Sequence, residues 1–202
     1  DADSGQIGKY PDPGIGTNIH GLCADGDRLW VGTFSGALNR IDLNTKALRQ
    51  WECGDADWPL PSTDAFCIMR TRDSLVWVGT TLGAAVHDPV TDSFSRVEEL
   101  GDAFVYYILE DRSGRLWFAT YADGLYCCDR NTGEWRHWTA DRNRPGALPG
   151  NKLCDIFEDS KGELWIATVG EGICRYDGEN DRFERISDPW MPSSIVFKIL
   201  ED

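Results

Sequence analysis

Apolar and polar residues alternate in short runs along the chain, and no window sustains the 3.6-residue period of an amphipathic helix. The pattern is that of strands, and it repeats. Leu29-Trp30-Val31-Gly32-Thr33 is followed by Val76-Trp77-Val78-Gly79-Thr80, Leu116-Trp117-Phe118-Ala119-Thr120 and Leu164-Trp165-Ile166-Ala167-Thr168. The tryptophans are 47, 40 and 48 residues apart (30 to 77, 77 to 117, 117 to 165). A self-similar period of about 40 to 50 residues indicates a propeller or a solenoid.

Each copy reads outward from its tryptophan. An apolar run comes first (Ile19 to Cys23, Ala65 to Met69, Val105 to Leu109, Leu153 to Phe157), then an acidic turn such as Glu110-Asp111-Arg112-Ser113-Gly114-Arg115. The tryptophan strand follows. A small-residue link such as Tyr121-Ala122-Asp123-Gly124 leads to a third run ending in Asp42, Asp88, Asp129 or Asp177. A tight turn and a fourth run complete the copy. Four short strands per copy, repeated radially, predict an all-β β-propeller with one blade per copy. The strands are A to D from the inside of the ring outward. The blades fall at approximately 17–51, 64–97, 104–138 and 152–186.

Residues 1–10 align with the C-to-D turn and D strand of a blade, and 195–202 with an A strand. The expectation is therefore four complete four-stranded blades plus one flanking strand at each end. Because these end pieces supply only D and A, an arc of a larger propeller is favoured over a closed four-bladed ring. An isolated arc exposes strand edges, so a homodimer is among the expected partners.

Composition narrows the function. The net charge is −14, which argues against a nucleic-acid backbone and against an anionic membrane surface. No apolar run of about 18 residues is present. No signal peptide is visible and the chain does not begin with Met, so an excised or mature piece of a longer protein is expected. The seven cysteines lack C-x-x-C spacing, and Cys127 and Cys128 should point to opposite faces of one strand.

The run Ile108-Leu109-Glu110-Asp111-Arg112-Ser113-Gly114-Arg115-Leu116-Trp117-Phe118-Ala119-Thr120, with Gly124-Leu125, Asp129 and Thr132-Gly133, resembles the two-component regulator propeller repeat. The loop from Asp141 to Asn151 also looks like that family's inter-blade linker. Copy two departs from the pattern: Thr71-Arg72-Asp73-Ser74 lacks the turn glycine, and Ala84-Ala85 replaces Gly-Leu. The resemblance implies a seven-bladed ring in the extracytoplasmic, periplasmic half of a bacterial hybrid sensor histidine kinase. It also implies a response to oligosaccharides, and the remaining blades of the parent chain as partners.

The four repeated tryptophans read as packing anchors, and the repeated Asp and Gly as turn formers. The Asp129-to-Gly133 and Asp1-to-Gly5 turns superficially look like calcium loops but lack the later bidentate Glu. Neither a metal nor a cofactor is expected.

Candidate ligand residues are sought where copies differ. The D-to-A loops carry Trp58, Trp138 near a loop start, and Trp190; the B-to-C links add Phe34, Tyr121, Asp123 and Glu171. Aromatics beside carboxylates suit a sugar, which stacks its C–H face and hydrogen-bonds its hydroxyls; the alternative is that these tryptophans clamp their own loops. A second set is one column on strand A, reading Gly21, Cys67, Tyr107, Asp155 and Lys198. So varied a position is expected to face water and line the central channel.

No G-x-S-x-G, H-E-x-x-H or P-loop occurs, and no catalytic residue is assigned. The expected function is a non-catalytic, ligand-sensing propeller region that detects an oligosaccharide or another small molecule. A propeller lyase or glycoside hydrolase, and a protein–protein scaffold, are the alternatives.

Overall fold

A computed structural model describes residues 18–34, 36–60, 62–186 and 194–202. The expected D strand at 1–10 lies outside these residues. Four antiparallel four-stranded sheets follow one another, and in each the strands pair in chain order. The first is β1 (Ile19–Asp25), β2 (Arg28–Thr33), β3 (Leu38–Asp42) and β4 (Leu48–Trp51). The second is β5 (Ala65–Arg70), β6 (Val76–Thr80), β7 (Gly83–Asp88) and β8 (Ser93–Arg96). The third is β9 (Val105–Glu110), β10 (Arg115–Thr120), β11 (Leu125–Asp129) and β12 (Glu134–Trp138). The fourth is β13 (Leu153–Glu158), β14 (Leu164–Thr168), β15 (Ile173–Asp177) and β16 (Arg182–Arg185). One 3-10 turn, Glu98–Leu100, lies in the link from the second blade to the third. The innermost strands β1, β5, β9 and β13 pack in succession, and the blades form an open arc.

The core lies between blades, not within them. Trp30, Trp51 and Trp58 of the first blade pack with Ile68, Val76 and Phe94 of the second. Trp77 and Val97 pack with Ile108, Leu116 and Phe118 of the third. Trp117 and Leu125 pack with Ile156, Tyr176 and Phe183 of the fourth. Each repeated tryptophan faces the following blade. Trp30, Trp77 and Trp117 are buried, whereas Trp165, with only the 194–202 segment beyond it, is half-buried. Full burial of such a side chain contributes about 1.5–3 kcal/mol. Strand alternation separates Cys127, in the core facing the fourth blade, from Cys128, in the core facing the second.

The small residue after the tryptophan has a steric cause. A Cβ at Gly32 would sit 2.6 Å from the Ala65 carbonyl oxygen, and one at Gly79 would sit 2.7 Å from a Val105 methyl. The innermost strand of the next blade passes directly over this position. The turn aspartates act locally: Asp42, Asp88, Asp129 and Asp177 each accept the backbone N–H two residues on, closing an Asx turn.

Residues 194–202 occupy the place of a fifth A strand. The expected strand is not formed as a ladder: the segment carries one isolated bridge, Val169 to Ile195. Its anchors are polar. Ile199 N–H donates to Asp155 at 2.8 Å, and Glu201 accepts the Ser160 N–H at 2.7 Å. Glu110 and Glu158 bind Arg72 N–H and Arg112 N–H in the same way, each at 2.9 Å.

Candidate functional site

All four innermost strands carry the same irregularity. The register skips one residue between Ile19 and Gly21, Ala65 and Cys67, Val105 and Tyr107, and Leu153 and Asp155. Each is a β-bulge, and a bulge re-aims a side chain that alternation would send elsewhere. The bulged residues are His20, Phe66, Tyr106 and Cys154. Both they and the next residues, Gly21, Cys67, Tyr107 and Asp155, line one cleft of about 340 Å³ at the inner end of the blades, with Phe197 and Lys198 closing its far side.

The bulges assemble an aromatic wall. Phe66 lies 4.5 Å from His20, 4.6 Å from Phe104 and 5.5 Å from Tyr106, centroid to centroid. Phe34 stands edge-on to Phe66 at 5.9 Å, and Tyr121 packs on Phe104 at 5.4 Å. Lys152 places its ammonium 5.6 Å from the Tyr121 ring centre. Tyr121, 38% exposed, and Phe34, 40% exposed, keep ring surface open to solvent.

The polar end of the cleft unites three residues of the strand-A column. Lys198 Nζ donates to Asp155 Oδ1 at 2.8 Å and to Tyr107 OH at 3.2 Å, and lies 4.2 Å from the Tyr107 ring centre. Burial disfavours the Lys198 ammonium, but the Asp155 carboxylate and Tyr107 hydroxyl outweigh it and raise its pKa. Lys198 therefore stays charged. Burial pushes the Cys67 thiol up to about 12, so it is no nucleophile at neutral pH.

The column as a whole does not face water as expected. Gly21, Cys67 and Asp155 are buried, with Asp155 wholly enclosed. The reason is contact between adjacent innermost strands. An ideal Cβ at Gly21 would lie 3.1 Å from Ile68, and the 194–202 segment covers Asp155.

The other sequence candidates scatter. Trp58 is sealed in the core, packed 4.9 Å from Phe94, with its N–H donated to the Ser62 carbonyl at 3.1 Å. It clamps its own loop and is not part of the cleft. Trp138 stacks on Trp117 at 5.6 Å. Trp190 lies outside the described residues. Asp123 is exposed, and its carbonyl is 2.6 Å from His137 Nε2. Glu171 is held by Arg185 and Arg142 in a separate depression of about 300 Å³ beside Leu148 and Pro149. Among the described residues no group of His, Cys, Asp and Glu is arranged to hold a metal.

His20, Phe66, Phe104 and Tyr106 were not singled out by sequence. The signal lay one position before the variable column, where four of the five residues His20, Phe66, Tyr106, Cys154 and Phe197 carry rings. Strict alternation places that position on the opposite face.

Comparisons with known proteins agree with this architecture. Residues 99–122 and 147–170 match the family described as two component regulator propeller. The fold is similar to the extracellular domain of a protein assigned as a hybrid two component system from B. thetaiotaomicron, with TM-score 0.70 and 20% identity over 90% of this chain and 24% of that one. It is also similar to virginiamycin B lyase from Staphylococcus aureus, with TM-score 0.66 and 16% identity over 87% of this chain and 57% of that one. An auxiliary nutrient binding protein from Bacteroides thetaiotaomicron shares it with TM-score 0.59 and 13% identity, over 84% of this chain and 41% of that one. The chain thus spans about a quarter of the first protein's length (24%) and about half of the second's (57%). No curated protein matches in sequence. The chain is an open arc of β-propeller blades, in which residues 99–122 and 147–170 are similar to the two component regulator propeller repeat.

Proposed function

We propose that this arc is part of a non-catalytic ligand-sensing propeller in a bacterial two-component signalling protein, and that its cleft binds an oligosaccharide. The observation that carries the reading is the bulge-built wall of His20, Phe66 and Tyr106, which lines one cleft together with the Lys198–Asp155–Tyr107 cluster. Ring faces match the C–H face of a sugar, and the Lys198 ammonium and Tyr107 phenol match its hydroxyls. The parent is a hybrid histidine kinase, and this region is periplasmic. The matched repeat family and the likeness to the extracellular domain of a hybrid two component system support this placement.

The cleft is poorly equipped for turnover. Glycoside hydrolysis uses two carboxylates about 5–9.5 Å apart, and among the residues lining this cleft Asp155 is the one carboxylate. It is already engaged by Lys198 and the Ile199 N–H. The test is incubation with a panel of neutral oligosaccharides, read by saturation-transfer NMR and by chromatography of the products. Saturable contact with an unchanged glycan is expected. Appearance of cleaved glycan contradicts the reading.

A further inference from the structure

Blades one and three carry the same cavity over their B, C and D strands, and its charges differ. In the ladders Arg28 pairs with Asp42 as Arg115 pairs with Asp129. Arg40 pairs with Arg49 as Cys127 pairs with Arg136. Ala47, whose carbonyl accepts the Asp42 N–H at 2.9 Å, therefore stands at the place of Glu134. Strand alternation puts Arg28, Arg40, Asp42, Ala47 and Arg49 on one face, and they line a cavity of about 200 Å³. The matching cavity of blade three is about 210 Å³.

Blade three balances its charges internally. Arg115 and Arg136 share the lining with Asp129 and Glu134. Arg115 pairs with Asp111 at 2.7 Å, and Arg136 lies 3.5 Å from Glu134. Blade one has lost both of these partners. Asp25, at the place of Asp111, is taken by Arg70 at 2.7 Å, and Ala47 carries no acid. Three arginines and one carboxylate remain in the lining, in a chain whose net charge is −14. That carboxylate, Asp42, is folded back on its own turn, accepting the N–H groups of Asn44 at 3.0 Å and Thr45 at 2.7 Å. Arg40 and Arg49 share Asp92, and Arg49 also pairs with Asp57; neither of these aspartates lines the cavity. Arg28 is exposed, and among the described residues it forms no ion pair.

We infer that the cavity of blade one binds the carboxylate of a small organic acid. The acid supplies from outside the group that Glu134 supplies in blade three, and Ala47 leaves the space for it. It meets the unpaired fork of Arg28, whose two parallel donors fit a carboxylate. Arg49 adds donors from the side: a guanidinium has five N–H groups, and Arg49 directs one to Asp92 and one to Asp57. One unpaired guanidinium beside Asp42 matches a single negative charge better than a phosphate dianion, because like charges repel at short range. The volume is below the roughly 300 Å³ of typical drug-sized pockets, which suits a small acid. This site shares no residue with the sugar cleft and does not depend on that reading.

The test is NMR titration of the arginine Nε–H signals with propionate at fixed ionic strength, propionamide serving as the uncharged isostere. The expected result is a saturable shift with a dissociation constant on the order of 10 mM or tighter, and none with propionamide. Ala47→Glu installs the acid that blade three carries; it should melt no lower than the wild type and bind propionate at least tenfold more weakly. If that variant does not fold, Arg28→Gln carries the test, since Arg28 is exposed. It removes the unpaired cation and should also weaken binding tenfold or more. Lys161→Gln, an exposed cation removed from blade four, should leave the affinity unchanged. Absence of a saturable shift in the wild type, unchanged affinity in either folded blade-one variant, or an equal loss in Lys161→Gln overturns the inference.

Discussion

Trp117 donates its indole N–H to Asp111 at 2.8 Å. The pairing recurs as Trp165 with Asp159 at 3.0 Å and Trp30 with Asp25 at 3.4 Å. The turn aspartate thus ties the packing anchor of each blade to the loop that precedes it. The second blade breaks the series. Thr71 stands at the aspartate's place, and Trp77 Nε1 is buried without a partner. A buried polar group left unmatched costs about 1–3 kcal/mol. Thr71→Asp should recover part of this, raising stability by about 1 kcal/mol in urea unfolding. No change in the midpoint would mean that the indole is already satisfied.

Stability should respond to pH through His87. Burial lowers its pKa despite the opposing pull of Asp92, so the folded chain holds it neutral. The unfolded chain binds a proton below about 6.5 that the folded chain refuses. Stability is therefore complete above that pH and declines as pH falls below it. A second decline belongs to carboxylates. The hydrogen bonds from Arg130 hold Asp73 down to about 2, and those from Arg40 lower Asp92. Their contribution is present above about 4 and is lost as pH falls toward 2. His87→Tyr, the residue found at the matching place in blade four, should abolish the first decline and leave the second. Thermal melts from pH 8 to pH 3 separate the two.

Gly32→Ala should destabilise the first interface by about 1–3 kcal/mol, because the new methyl meets the Ala65 carbonyl oxygen at 2.6 Å. The matching positions in blades three and four already hold Ala119 and Ala167, so Ala119→Gly should cost far less than a steric clash. A neutral Gly32→Ala in denaturant unfolding would show that the blades are not held at this spacing.

Lys198→Met should loosen the last segment. It removes the ammonium at 2.8 Å from Asp155, which is fully enclosed and then keeps one donor, the Ile199 N–H. A buried charge that loses its partner is costly. The double change with Asp155→Asn should be less destabilising than Lys198→Met alone. Hydrogen exchange across 194–202 reads this directly, and equal protection in all three proteins would contradict it.

The architecture was legible because its signals are local. Trp30, Trp77, Trp117 and Trp165 mark strand B of each copy, and the aspartate turns close around their own backbones. The site was legible only in part. Tyr107, Asp155 and Lys198 stood out as one varying column, and the fold does bring them together. Their burial did not stand out, since Asp155 is covered by a segment more than forty residues later in sequence (Lys198 and Ile199). The aromatic wall was hidden for another reason. A bulge reverses the facing of Phe66 and Tyr106, and nothing in an alternating run announces where the alternation skips. Trp58 misled because a loop tryptophan reads alike whether it packs on a ligand or, as here, edge-to-face against Phe94.

The oligosaccharide reading rests on the rings that the bulges turn into the cleft. The most direct measurement is calorimetric titration of a glycan panel into the wild type and Phe66→Ala side by side. At least one neutral oligosaccharide should bind the wild type saturably. Loss of the Phe66 ring should weaken that binding about tenfold or more, equivalent to about 1.4 kcal/mol, while the melting temperature moves little, because Phe66 is only partly buried. Equal affinity in the two proteins, or no glycan binding at all, contradicts the assignment of this cleft.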